Sequence, residues 1–204
     1  WALQSGTSHN LGDHFGKVYG IRFLDRDGER KFAFNTSWGL SHRVVGATIM
    51  VHGDDAGLKL PPRIAPIQVV IVPIWRKEAD LATIEPAVDQ IVDVLKPVAR
   101  VKVDWRDDRT AGFKFNDWEL KGVPIRLEVG PRDVASNQVI AVRRDTRDKA
   151  AIQIDDIANE IPALLEAIQA DLFAAAKTMA AENTAIVDDY ATLVQRVAEN
   201  AGWN

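Results

Sequence analysis

The sequence predicts an α/β protein: a mixed-sheet α/β domain preceded by part of an antiparallel sheet and followed by helices. Three observations point there. Ile67-Gln68-Val69-Val70-Ile71-Val72-Pro73-Ile74 is a continuous, largely β-branched run, as a strand buried on both faces requires. Strand-like and helix-like segments then alternate as far as Arg143, the pattern of a layered α/β domain. From about residue 155, Ile157, Ile161, Leu164, Leu165, Ile168, Leu172 and Phe173 form one apolar helical stripe.

The elements follow in chain order. Residues 21–24 and 31–34 flank Asp25-Arg26-Asp27-Gly28-Glu29, a hairpin signal in which Asp-Gly supplies a positive φ. Residues 40–51 have helical content, and Val44, Val45, Ala47, Thr48 and Met50 predict that this helix is largely buried. Gly53-Asp54-Asp55-Ala56-Gly57 breaks it, Leu58-Lys59-Leu60 reads as a short strand, and Pro61-Pro62 stops regular structure. Three prolines within residues 61–66 mark the best domain boundary. Beyond the 67–74 strand come a helix near 78–96 and a strand at 99–105. A helix at about 111–121, a strand at 125–129, a turn and a strand at 138–143 follow. A second helical stretch at about 184–200 carries Ile186, Val187, Tyr190, Leu193, Val194 and Val197. The expected domains are 1–63, 64–154 and 155–204.

Composition narrows the function classes. No apolar run in the 204 residues approaches the roughly 18–20 that a membrane helix needs. Cysteine is absent, which excludes disulfides and thiolate zinc sites within these residues, and a cytoplasmic protein is expected. The net charge of −4 disfavours nucleic-acid binding only weakly, because Lys and Arg concentrate at 100–149 while the C-terminal third is acidic. Trp1 opens the chain without a Met, so the sequence is expected to be a fragment of a longer protein.

Four segments carry candidate chemistry. Gln4-Ser5-Gly6-Thr7-Ser8-His9 is either a polar strand-to-turn segment or a pocket floor, with Gly6 letting a ligand approach the backbone. Thr36-Ser37-Trp38-Gly39-Leu40-Ser41-His42-Arg43 reads as a helix start capped by Ser37, or as an Arg held near a helix N-terminus for an anionic ligand. Pro61-Pro62-Arg63 pre-orders one guanidinium whose planar fork suits phosphate oxygens. Neither G-x-x-x-x-G-K-[ST] nor G-x-G-x-x-G occurs, which argues against a P-loop and a Rossmann site. Residues 113–133 set Glu119, Glu128 and Asp133 among Lys114, Lys121, Arg126 and Arg132, too much fixed charge for a plain core strand. Phe113, Phe115 and Trp118 could stack on splayed bases, with core packing the competing role for Trp118. No metal ligand set is evident around His9, His14 or His42.

Residues 4–9, 36–43 and 53–63 occur in the order and spacing of the later part of the prolyl-tRNA synthetase catalytic domain, and residues 113–133 resemble that family's anticodon-binding domain. The resemblance covers roughly the whole chain. It implies a mixed-sheet anticodon-binding domain preceded by the end of an antiparallel class II catalytic sheet. Gly53-Asp54-Asp55-Ala56-Gly57-Leu58-Lys59-Leu60-Pro61-Pro62-Arg63 looks like class II motif 3, and Arg63 matches an Arg on the ATP phosphates, the one catalytic assignment. Gln4, Ser41 and Arg43 match nucleotide positions, while Thr7, His9 and Trp38 match the proline pocket. Glu119, Arg126, Arg132 and Asp133 match residues that read the guanines shared by proline anticodons. An Arg can pair bidentately with guanine O6 and N7.

The family also divides. One subgroup carries an editing insertion; the other lacks it and has a C-terminal extension, whose start residues 155–204 resemble. The second subgroup is therefore expected. Its extension often holds a cysteine zinc site, but with no Cys here no metal is expected. The implied activity is proline–tRNA ligation, with ATP and Mg²⁺, L-proline and tRNA(Pro), and a homodimeric parent. The 204 residues alone are expected not to form prolyl-adenylate. A non-catalytic RNA-binding paralogue is the main alternative, and a small-molecule kinase a remoter one.

Overall fold

In the computed structural model, residues 3–199 are described. Residues 1–2 and the end of the chain at residues 200–204 lie outside them. The chain divides into two compact units, Trp1–Thr48 and Ile49–Asn204.

The smaller unit contains β1 (Gly6–Gly12), α1 (His14–Val18), β2 (Arg22–Leu24), β3 (Arg30–Phe32) and β4 (Asn35–Leu40). β2 and β3 form the expected hairpin, with Gly28 at φ 81° donating its N–H to Asp25 O at 2.9 Å. β1 pairs antiparallel with β4, with an irregularity between Asn10 and Gly12. Ser37 is therefore not a helix cap. It lies mid-strand opposite His9, because a short link after β3 lets the chain extend again.

Helix α2 (Arg43–His52) follows, and it corrects a second expectation. None of its residues is buried, and Val45 and Met50 are exposed. The apolar content is there, but no covering layer meets it among the described residues. β1 and β4 form a two-stranded ribbon, leaving an outer edge free on each strand among the described residues. Phe34, Trp38 and Leu40 are exposed beside it. Such an edge is a template for pairing with another chain. Concentration-dependent association in sedimentation velocity is expected, and Trp38→Lys should reduce it; a monomer at all concentrations would show the edge to be protected.

The larger unit is built on a five-stranded sheet. Its strands are β5 (Val69–Pro73), β6 (Val101–Val103), β7 (Ile125–Val129), β8 (Gln138–Arg143) and β9 (Lys149–Gln153), in the order β6-β5-β7-β8-β9. β5 is parallel to β6 and β7, whereas β8 and β9 run antiparallel, so the sheet is mixed as expected. β5 is buried on both faces throughout. Helices α3 (Glu78–Leu95) and α6 (Ile157–Glu182) cover one face, where Val69, Ile71, Ile125, Leu127, Val139 and Ala141 meet Ile84, Ile91, Ile161 and Ile168. Helix α4 (Ala111–Leu120) covers part of the other, where Trp118 and Phe115 join Val70, Val72 and Val123. Thr110 caps α4 by accepting from Phe113 N–H at 3.3 Å.

Three further details differ from the sequence reading. Leu58-Lys59-Leu60 forms no strand. Leu58 N–H donates to Leu120 O at 3.0 Å and Leu60 N–H to Gly122 O at 3.2 Å, so its partner is a helix end and turn, which cannot continue a ladder. The expected turn after β7 contains a short helix, α5 (Pro131–Ala135), with proline pre-set in its first turn. β9 was not expected, and the C-terminal stretch ends in α7 (Tyr190–Ala198).

Candidate functional site

The register of the sheet sets the chemistry of its α4 face. Val70 pairs with Lys102 and with Arg126; Arg126 pairs with Val142; Val142 pairs with Lys149. Paired residues share a face. One row thus reads Lys102, Val70, Arg126, Val142, Lys149 across all five strands, placing three cations in line. A basic strip arises on a chain whose net charge is −4.

A cavity of about 150 Å³ lies over this row, lined among others by Trp118, Glu119, Arg126, Arg144, Arg147 and Lys149. The structure thereby brings Glu119 and Arg126 together. Arg126 stacks on Phe115, its guanidinium carbon 4.2 Å from the ring centroid. Its Nε and Nη2 donate to Glu128 Oε1 at 3.2 and 2.9 Å, and Lys149 Nζ donates to both oxygens of Glu128. Stacking and two bonds fix the plane of the fork while leaving Nη1 for a ligand.

Glu119 is held from the far side. Arg144 is almost wholly buried, 4% exposed, and its Nη2 and Nη1 donate to the two oxygens of Asp54 at 2.6 and 3.1 Å. Its Nε donates to the carbonyl of Glu119 at 2.9 Å. Arg144 holds the Asp54 carboxyl well below the usual carboxylate range, outweighing burial, with Lys59 assisting. Sequence reasoning missed Arg144, Arg147 and Lys149. The excess of Lys and Arg at 100–149 was the one available signal.

Arg132 and Asp133 lie elsewhere. They line a second concavity of about 510 Å³ with Ile74, Arg76, Asp80, Gly130 and Pro131. Asp133 Oδ2 accepts from Gly130 N–H at 2.9 Å, tying it to the start of α5. Asp80 Oδ2 accepts from the N–H groups of Arg76 and Lys77, both at 3.1 Å. The four candidate base readers therefore form two pairs in two recesses. Among the aromatics, Phe113 is exposed beneath Arg109, whereas Trp118 is a core residue whose indole N–H donates to Asp104 at 2.7 Å.

In the smaller unit, Gln4, Thr7, Ser41 and Arg43 line a concavity of about 290 Å³ together with Gly39. Arg43 Nη1 donates to the carbonyl and the side-chain oxygen of Gln4 at 3.2 and 3.3 Å, and Arg43 N–H donates to Ser41 Oγ at 3.3 Å. Thr7 pairs with Gly39 and His9 with Ser37, so these four share one face of the ribbon. Trp38 pairs with Ser8 and points to the other face, which separates it from Thr7 and His9.

Arg63 belongs to the larger unit. Arg100 fixes its corner, with Nε donating to Ala65 O at 2.8 Å and Nη2 to Pro62 O at 2.9 Å. Its side chain is 71% exposed and meets Glu166 at 3.2 Å, a surface pair that contributes little to stability. No group of His, Asp and Glu that could hold a metal ion occurs among the described residues, and none of their helices is long and apolar enough to cross a membrane.

The family described as "Anticodon binding domain" matches residues 68–164. A proline–tRNA ligase of Natranaerobius thermophilus is 48% identical over 201 residues, 98% of this chain and 41% of its own. One from Clostridium novyi is 52% identical over 184 residues, 90% of this chain and 37% of its own. The crystal structure of prolyl-tRNA synthetase from Cryptosporidium parvum with L-proline and AMP matches with a TM-score of 0.90 and 40% identity, covering 98% of this chain and 43% of that one. A second, with halofuginone and AMPPNP, gives 0.89 and 40% over 97% of this chain and 41% of that one. The chain thus spans about two fifths of the length of the relatives it matches. Over these 204 residues the protein belongs to the prolyl-tRNA synthetase family and contains its anticodon-binding domain.

Proposed function

We propose that the chain is the anticodon-reading and motif 3 part of a proline–tRNA ligase, whose parent activates L-proline with ATP and transfers it to tRNA(Pro). The observation that carries the reading is the Glu119–Arg126 cavity, inside the segment matched to an anticodon-binding domain. Guanine offers acceptors at O6 and N7, which suit the Arg126 fork, and donors at N1 and N2, which suit the Glu119 carboxylate. Arg132 and Asp133 offer the same cation–carboxylate combination in the second recess, so each recess takes one guanine.

Gln4, Ser41 and Arg43 are proposed to hold the nucleotide, Thr7 and His9, which share one face of the β1–β4 ribbon, the proline, and Arg63 the phosphates. Arg43, already turned onto Gln4, would present a cation to an anionic ligand. When bound, ATP would supply the adenylyl group that activates the proline carboxylate, with pyrophosphate as the leaving group. Mg²⁺ fits only as a companion of the nucleotide phosphates, since the described residues offer it no cluster of their own. A homodimeric, cytoplasmic parent without an editing insertion completes the proposal.

The test is binding of the chain to two stem-loops at one fixed salt concentration, one with the proline anticodon and one with its two guanines replaced. Loss of about 1–3 kcal/mol per guanine is expected, with Arg126→Ala removing the preference. Equal binding to both would leave only phosphate attraction and favour a paralogue that does not read the anticodon.

A further inference from the structure

We infer that Arg147 is a positioning residue for guanine recognition, acting through Glu119; the inference rests on the anticodon reading above. Glu119 is the penultimate residue of α4. A carboxylate there faces the negative end of the helix dipole, and a Glu side chain is free to sample several rotamers. Something must hold it if it is to read a base.

Arg147 stands in the turn between β8 and β9, with its Nε 3.1 Å from Glu119 Oε1. The nearest guanidinium nitrogen of Arg144 is 3.9 Å from the same oxygen. Both cations thus lie toward Oε1, which leaves Oε2 for the N–H groups of a base. Arg147 also lies 3.9 Å from Asp54 Oδ2, so the hairpin turn, the Asp54 turn and the end of α4 meet at one guanidinium.

The backbone makes the role separable from stability. Arg147 has φ 67°, a left-handed conformation that favours Gly or Asn. A long side chain held there is a pointer to use. The side chain is 61% exposed, so its ion pair contributes little to folding. Arg147→Gly removes the guanidinium and suits the turn better than the native residue does.

The experiment measures binding of the 204-residue chain to the two stem-loops above across a salt series, with a thermal melt of each variant. Arg147→Gly is expected to melt no lower than the wild type. Its preference for the guanine stem-loop should fall roughly three- to tenfold, the size of one coupled polar contact. Arg147→Lys, which keeps a cation beside Glu119, should restore part of that preference. Arg147→Asn serves as a second left-handed variant should glycine loosen the hairpin. If Arg147→Gly and Arg147→Asn discriminate as the wild type does, or weaken both stem-loops equally, Arg147 supplies general attraction at most and the inference is overturned. A wild-type chain blind to the guanines would overturn the anticodon reading and this inference with it.

Discussion

Asp104→Ala is expected to destabilise the larger unit by about 3 kcal/mol and to loosen α4 from the sheet. Asp104 is 3% exposed just beyond β6. One oxygen accepts from Arg106 Nε at 2.8 Å; the other accepts from Arg106 Nη2 at 2.6 Å and from the Trp118 indole at 2.7 Å. Its carbonyl accepts from Lys114 Nζ at 3.2 Å. Trp118 and Lys114 are both on α4, so the carboxylate and its peptide tether this helix to the β6 edge. Alanine strands the buried indole N–H, while the half-exposed Arg106 can turn to water and to Asp117. Urea unfolding followed by tryptophan fluorescence reads the loss. Because α4 carries Phe115 and Glu119, stem-loop binding should weaken in the variant even where the chain remains folded. A midpoint equal to the wild type would show that α4 is held by apolar packing alone.

The same carboxylate sets a pH dependence. Burial pushes Asp104 up, but the hydrogen bonds from Arg106 and Trp118 outweigh it and hold the group well below the usual carboxylate range. A folded-state value below the unfolded one means that the contribution is complete above the unfolded value, near 3.9, and is lost as pH falls through the folded one. Wild-type stability should therefore fall off below about pH 4, and Asp104→Asn should flatten that part of the profile. Asp54, lowered chiefly by Arg144, adds to the slope with the same sign.

These two carboxylates show where the sequence was legible and where it was not. The 67–74 run and the spacing of Ile84, Val88, Ile91 and Leu95 are local signals, and the strand and helix they predict are present. β9 carries two alanines and gives the core only Ile152, so neither β-propensity nor alternation revealed it. Helix α2 reads as buried because apolar content does not say whether a covering layer exists. Thr7 and His9 share parity on one strand, but the face of Trp38 depends on the β1–β4 register, which no local pattern encodes. Arg144 and Asp54 are ninety residues apart, and their pairing exists only once the chain has folded. Glu119 and Arg126, seven positions apart at a helix end and a strand start, were within reach of reasoning by resemblance. Their cation neighbours from the β8–β9 turn were not.

Gly57→Ala should cost roughly 3 kcal/mol or more, because two separate penalties fall on one atom. Gly57 has φ 130°, where an L side chain is strained. A Cβ there would also lie 2.5 Å from Leu120 Cα and 2.6 Å from Leu120 O, which is backbone and cannot swing aside. Gly122 closes the same contact from the other side: at φ 72° its Cβ would fall 2.6 Å from Leu58 Cβ and 2.7 Å from Leu58 O. Only two glycines let these segments approach closely enough for Leu58 N–H to reach Leu120 O. The end of α4, and Glu119 with it, is thereby registered against the Asp54 turn that Arg144 clamps. Gly112→Ala is the control on the same helix, since a Cβ there meets nothing within 4 Å and should stabilise α4 by up to about 1 kcal/mol. Denaturant unfolding of both variants, with hydrogen exchange at the Leu58 amide, separates the cases. Loss of protection at Leu58 in Gly57→Ala alone is the expected result. If Gly57→Ala is as stable as Gly112→Ala, the two segments are free to part, and the position of Glu119 must then depend on the arginine contacts rather than on the backbone approach.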